Sequence, residues 1–149
     1  MVNNNKTMKI NTKKFMKICI LILCLIFCWR IFFMPDTENK RKFKKTLGIE
    51  LTPDVENIHY YSDFFAIDFT VLLAFTCDSS TIWRIVKEKR LKLAGDNDIG
   101  LGTSFEFNWW DQEIIKTIKP FKKNEGYELH QYLWYDKYNR KAYYQKFSM

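Results

Sequence analysis

Two histidines, His59 and His130, one cysteine outside the apolar amino-terminal run, Cys77, and the carboxylates Asp63, Asp78 and Asp111 are the side chains of this 149-residue chain with reactive potential. A histidine beside a carboxylate can pass a proton, and three or four such groups converging can hold a metal ion. Cys77 precedes Asp78 at what reads as a strand-to-helix junction, where the helix amino terminus favours a thiolate. A small hydrolase built on them requires His59, His130 and Cys77 to meet in one pocket. No spacing among them forms a ligand or nucleophile motif. The plain reading is two strand histidines and a small buried cysteine, with no catalytic residue, metal ligand or cofactor assigned.

Weaker signals lie in the segment before Ser104. Gly100 and Gly102 precede an extended stretch, whereas phosphate-cradling glycines follow a strand and open a helix. Asp96 and Asp98 lack the twelve-residue calcium-loop pattern. The whole segment reads as a structural loop.

Aromatic density is the main peculiarity of residues 46–149, which contain eight Phe, four Trp and eight Tyr. In the last predicted hairpin these residues fall on both faces, with Tyr132 and Trp134 on one side and Leu133 and Tyr135 on the other. If the helices cover only one face of the sheet, the other is left as a recognition surface with Tyr132, Trp134, Tyr143 and Tyr144 as the binding candidates, unless loops or the juxtamembrane segment cover it or the tyrosines simply stand in water.

The formal charge of +7 is unevenly spread. Residues 1–45 hold 11 Lys and Arg against 2 Asp and Glu, and residues 46–149 hold 13 against 15, a net of −2. A mildly acidic domain lacks the basic groove that single-stranded nucleic acid requires, so no nucleic-acid partner is expected.

The elements that must position these groups follow from periodicity. Residues 66–76 alternate as a strand, with residues 58–61 as hairpin partner. Asp78 and Ser79 cap a helix carrying Ile82, Ile85 and Val86 on one side. Phe105 to Phe107 read as a short strand, and Asn108 as the cap of a helix with Trp110, Ile114 and Ile118 as its stripe, ended by Pro120. LHQYLWYD and KAYYQKFSM form a hairpin in which Asp136 accepts from the turn backbone, Asn139 takes the left-handed position, Trp134 faces Tyr143 and Tyr132 faces Gln145. The expected class is α+β, a small antiparallel sheet with two helices on one face, preceded by a transmembrane helix.

That helix is residues 18–34, 17 residues following Lys6, Lys9, Lys13, Lys14 and Lys17. At about 1.5 Å per residue it measures about 26 Å against a hydrocarbon core of about 30 Å, and Lys17 and Arg30 can extend it by reaching toward the headgroups. A cleaved leader is the rival reading, but Trp29, Arg30, Ile31, Phe32, Phe33 and Met34 offer no small-x-small exit. Cys19, Cys24 and Cys28 fall inside the run, so Cys77 has no disulfide partner in the domain. The expected organisation is a basic tail at 1–17, the membrane helix at 18–34, a charged and solvated juxtamembrane segment at 35–45, and an α+β domain at 46–149. The leading lysines favour an inside amino terminus and an extracytoplasmic domain.

At ELTPDVENIHYYSD and HQYLWYDKYNRKAYY the chain resembles small bacterial membrane-attached or lipoprotein-like proteins with no assigned activity. The resemblance covers residues 46–149 and implies an envelope location without implying chemistry. The run departs from the lipoprotein pattern, since no small residue precedes Cys24 or Cys28. The expected function is that of a single-pass, membrane-anchored, non-enzymatic interaction domain that binds a protein or envelope component. An immunity protein neutralising a toxin and a small hydrolase are the alternatives.

Overall fold

A computed structural model describes residues 12–65, 68–95, 98, 105–126 and 129–148. The chain falls into two compact units, the first ending at Thr37 and the second starting at Glu38. Helix α1, Thr12–Leu47, supplies all the described residues of the first unit and the first ten of the second.

In the first unit, residues 18–34 are helical throughout, as expected, and the side chains of residues 27–36 lie outside the described set. Every large apolar side chain described over residues 16–26 is open, from Ile22 at 49% to Leu23 at 65% exposure. Among the described residues, no helix is long and apolar enough to cross a membrane. The side chains of residues 27–34 in the expected span are not among those described.

The second unit is α+β, with one six-stranded antiparallel sheet in the order β1-β2-β6-β5-β4-β3. The strands are β1 Glu56–Phe65, β2 Asp68–Thr76, β3 Lys92–Leu93, β4 Phe121–Glu125, β5 Leu129–Asp136 and β6 Lys141–Ser148. Helix α2, Ser79–Lys89, carries the chain from β2 to β3 at the far edge, and α3, Gln112–Thr117, precedes β4. The final hairpin has the expected register, Trp134 opposite Tyr143 and Tyr132 opposite Gln145. Asp136 accepts from the backbone N–H groups of Tyr138 at 2.9 Å and Asn139 at 3.2 Å, as the turn chemistry requires. The left-handed turn residue is Arg140, with φ 53°, rather than Asn139.

The charged run before position 46 is helical, and from Glu38 on it belongs to the second unit rather than standing wholly in solvent. Phe43 and Leu47 project from one side of α1, four positions apart, and both are fully buried. Phe43 meets Phe75 edge to face at 4.9 Å. The folded unit thus starts eight residues before position 46. Gly48 stops α1 in the left-handed conformation, with φ 73° and its N–H bonded to the Lys44 carbonyl at 2.9 Å.

Helical cover on one face only is also corrected. The end of α1 and α2 lie on one face, where Phe43, Leu47, Ile82 and Ile85 pack with Leu73, Phe75, Leu133 and Tyr144. On the opposite face, α3 and its preceding loop bring Trp110 and Ile115 onto Leu72, Ala74, Tyr132, Trp134, Tyr143 and Phe147. Two apolar layers account for the high aromatic content. Phe105 to Phe107 form no strand, and α3 is capped by Asp111, whose carboxylate accepts from Ile114 N–H at 3.1 Å, rather than by Asn108. Gly100 and Gly102 lie outside the described residues.

Candidate functional site

Alternation along β1 turns Tyr60, Ser62 and Phe64 toward the face covered by α1 and α2, and pairing with β2 sets Ser62 beside Val71 and Phe64 beside Phe69. Lys146 continues the Ser62–Val71 row on β6. Arg41, Lys42, Lys45 and Thr46 face these strands from α1, and Lys89 comes from the end of α2. Together these residues line a cleft of about 690 Å³, a volume typical of small-ligand sites.

The wall is cationic and aromatic. Arg41, Lys42, Lys45, Lys89 and Lys146 supply five positive side chains, Tyr60, Phe64 and Phe69 three rings, and no carboxylate lines the cleft among the described residues. Lys42 sits over the Tyr60 ring at 4.9 Å and Lys146 over the Phe69 ring at 5.4 Å. Glu38 answers Arg41 and Lys42 only at 3.9 and 3.8 Å, with its own side chain 59% exposed, a geometry of little energetic weight. Lys45, Lys89 and Lys146 form no ion pair among the described residues.

Lys89 is half-buried, and burial first and the nearby Lys146 charge second pull its ammonium below the usual lysine range. Both lysines also line a second recess of about 370 Å³ with Glu88, Arg90, Lys123, Glu125, Leu129 and Gln131. In that recess Glu125 is paired with Lys123. The two unpaired lysines therefore stand in the wall shared by the two hollows.

The sequence candidates lie elsewhere. Tyr132, Trp134, Tyr143 and Tyr144 are 5%, 1%, 0% and 0% exposed, and Tyr144 is on the opposite face from the other three. Trp110 roofs Trp134 and Tyr143 edge to face, at 6.3 and 5.5 Å. The open aromatic face expected from the hairpin is absent because residues 105–118 cover it.

His59, His130 and Cys77 are not brought together. The row of His59 runs through Ala74 and Tyr143 to Trp134, whereas that of His130 runs through Phe147 and Thr70 to Asp63. Three strand spacings, about 14 Å, separate the histidine strands, and the rows are offset by four residues. His59 stacks on Trp109 at 5.5 Å and His130 on Phe147 at 5.0 Å. Cys77 is fully buried in the helix-side core, and burial, Asp54 and Asp78 push its thiol up to about 12. Asp98 is paired with Lys122. Among the described residues, no group of three His, Cys, Asp or Glu side chains could hold a metal ion.

Sequence reading missed the cleft because its walls come from distant segments. The legible part was the run of Arg41, Lys42 and Lys45, which a membrane surface alone could explain. No family model matches the chain, and neither a curated protein nor a solved structure matches it.

Proposed function

We propose that this protein is a membrane-tethered, non-enzymatic binding module that captures an anionic, partly apolar envelope component in the cleft beneath α1. The observation that carries this reading is the lining itself, five cations and three aromatic rings around about 690 Å³ without a carboxylate. Like charges held close together oppose folding, so the concentration of five cations in one hollow points to use. The hydroxyls of Ser62, Thr46 and Tyr60 have no histidine or carboxylate in that lining to activate them, which favours capture over catalysis. Residues 18–34 act as the tether, supported by the open apolar side chains of residues 16–26. The preceding lysines favour an extracytoplasmic domain.

The test uses the full chain in maltoside detergent and the trianionic dye hydroxypyrenetrisulfonate, followed by fluorescence polarisation. Saturable binding of one dye per chain, weakened about tenfold by Lys45→Gln or Lys146→Gln as expected for one lost charge-assisted contact, supports the reading. Absence of saturable binding, or binding indifferent to both variants, overturns it. Extraction of cell membranes at alkaline pH tests the tether separately, and recovery of the intact chain in the aqueous fraction refutes that part.

A further inference from the structure

We propose that the group captured in the cleft is the phosphate of an anionic phospholipid, held between Lys89 and Lys146, with the glycerol and first acyl carbons against Phe64 and Phe69. The inference rests on the cleft being a binding site and names what fills it. Lysines bind phosphate as point charges, and a tetrahedral phosphate with several acceptor oxygens can bridge two ammonium groups at once. The two ammonium groups share one wall, and neither has a carboxylate within ion-pair distance among the described residues. Burial and the charge of Lys146 weaken the hold of Lys89 on its proton against the opposing charges of Glu88 and Glu125, and a bound phosphate would offset the Lys146 repulsion.

The apolar half of the ligand is argued from Phe64. Its side chain is 70% exposed at the edge strand, stacked on Phe69 at 6.0 Å, and both rings line the cleft that Lys146 enters. An open ring at the edge of a cationic hollow is arranged to meet acyl chains while lysines reach phosphate. Free inorganic phosphate offers the same charge without the apolar part.

The experiment follows acetylation of Lys89 and Lys146 by mass spectrometry in the full chain in maltoside, with the exposed turn residue Lys137 as reference. Dihexanoyl-phosphatidylglycerol is expected to slow labelling of Lys89 and Lys146 at least about fivefold and leave Lys137 unchanged, while dihexanoyl-phosphatidylcholine and inorganic phosphate do not. Phe64→Ser is expected to weaken this protection about tenfold. Lys89→Gln removes a like-charge contact, so the variant is expected to fold while Lys146 loses its protection. Equal protection by inorganic phosphate overturns the lipid assignment, as does protection by phosphatidylcholine to the same degree. Dye binding without protection by any phosphate compound defeats this proposal and leaves the binding-module reading intact. Failure of the dye as well defeats both.

Discussion

Asp54 holds Thr81: its Oδ2 accepts from the Thr81 hydroxyl at 2.9 Å and from the Asp78 backbone N–H at 2.9 Å, so the start of α2 is capped by a carboxylate from the loop before β1. Asp78, at the cap position, makes no side-chain cap bond and pairs instead with Arg140 at 2.7 Å. The Thr52 hydroxyl lies 3.0 Å from that of Thr81 and completes the cluster.

Burial pushes the Asp54 carboxyl up, but hydrogen bonds from the Asp78 N–H, the Thr52 and Thr81 hydroxyls and its own backbone outweigh it and bring the pKa down to about 2. A carboxylate titrating lower in the folded than in the unfolded state stabilises the fold above the unfolded value near 3.8, and that contribution fades as pH falls toward 2. Asp54→Ala should lower unfolding free energy by about 1 to 2 kcal/mol at neutral pH, the usual cost of a lost cap. Asp54→Asn should flatten the acid limb of stability between pH 4 and pH 2. Urea titrations followed by far-ultraviolet circular dichroism measure both, and an unchanged acid limb in Asp54→Asn contradicts the account.

Tyr143 and Tyr144 are adjacent, face opposite layers and are both fully buried, yet their hydroxyls differ. The Tyr144 hydroxyl donates to Gln131 Oε1 at 2.7 Å, while that of Tyr143 has no partner among the described residues. Burial holds both protonated, raising them well above the ordinary tyrosine value. Tyr144→Phe leaves a buried oxygen of Gln131 without its donor and should cost about 1 to 3 kcal/mol, while Tyr143→Phe should be close to neutral or stabilising. Equal losses in the two variants would contradict this contrast.

The final hairpin was legible because Asp136 fixes its turn, and one turn fixes every cross-strand pair that follows. Strand β2 was legible as a strand but not in its environment. Its alternation implied one buried and one partly exposed face, whereas Leu72 and Ala74 are as buried as Leu73 and Phe75. The cover is residues 105–118, and no local pattern states which face a distant loop will roof. Strand β4 was hidden because FKKNE has one apolar residue, and its pairing with β5 rests on backbone hydrogen bonds that composition does not reveal. The cleft was least legible of all. Lys89 and Lys146 are 57 positions apart, and only the crossing of α2 and the central place of β6 set them in one wall.

Trp134 gives the sharpest test of the covered aromatic face. It is 1% exposed, stacked on Tyr132 at 5.5 Å and roofed by Trp110. Trp134→Ala empties a large interior volume and should cost about 3 to 5 kcal/mol, a major share of the roughly 5 to 15 kcal/mol that stabilises a typical domain. The lipid-protection pattern at Lys89 should survive wherever the variant remains folded, because the ring lies on the other side of the sheet from the cleft. A fully stable Trp134→Ala variant would show that the face is open.

The charged run before position 46 makes the last prediction. Its single aromatic residue, Phe43, is fully buried and meets Phe75 in the centre of the helix-side core. Asn39 on the same helix donates from Nδ2 to the Ile58 carbonyl at 2.8 Å, tying it to β1. A chain beginning at Thr46 loses both contacts and also Arg41, Lys42 and Lys45 of the cleft, whereas one beginning at Glu38 keeps them. The shorter chain should lose about 3 to 5 kcal/mol, the cost of deleting one buried aromatic side chain from a core, and Phe43→Ala in the full chain should lose a similar amount. Thermal and urea unfolding of the three chains decides the matter. Equal stability of the Thr46 and Glu38 chains would return residues 38–45 to the role of a solvated linker and take one wall from the cleft.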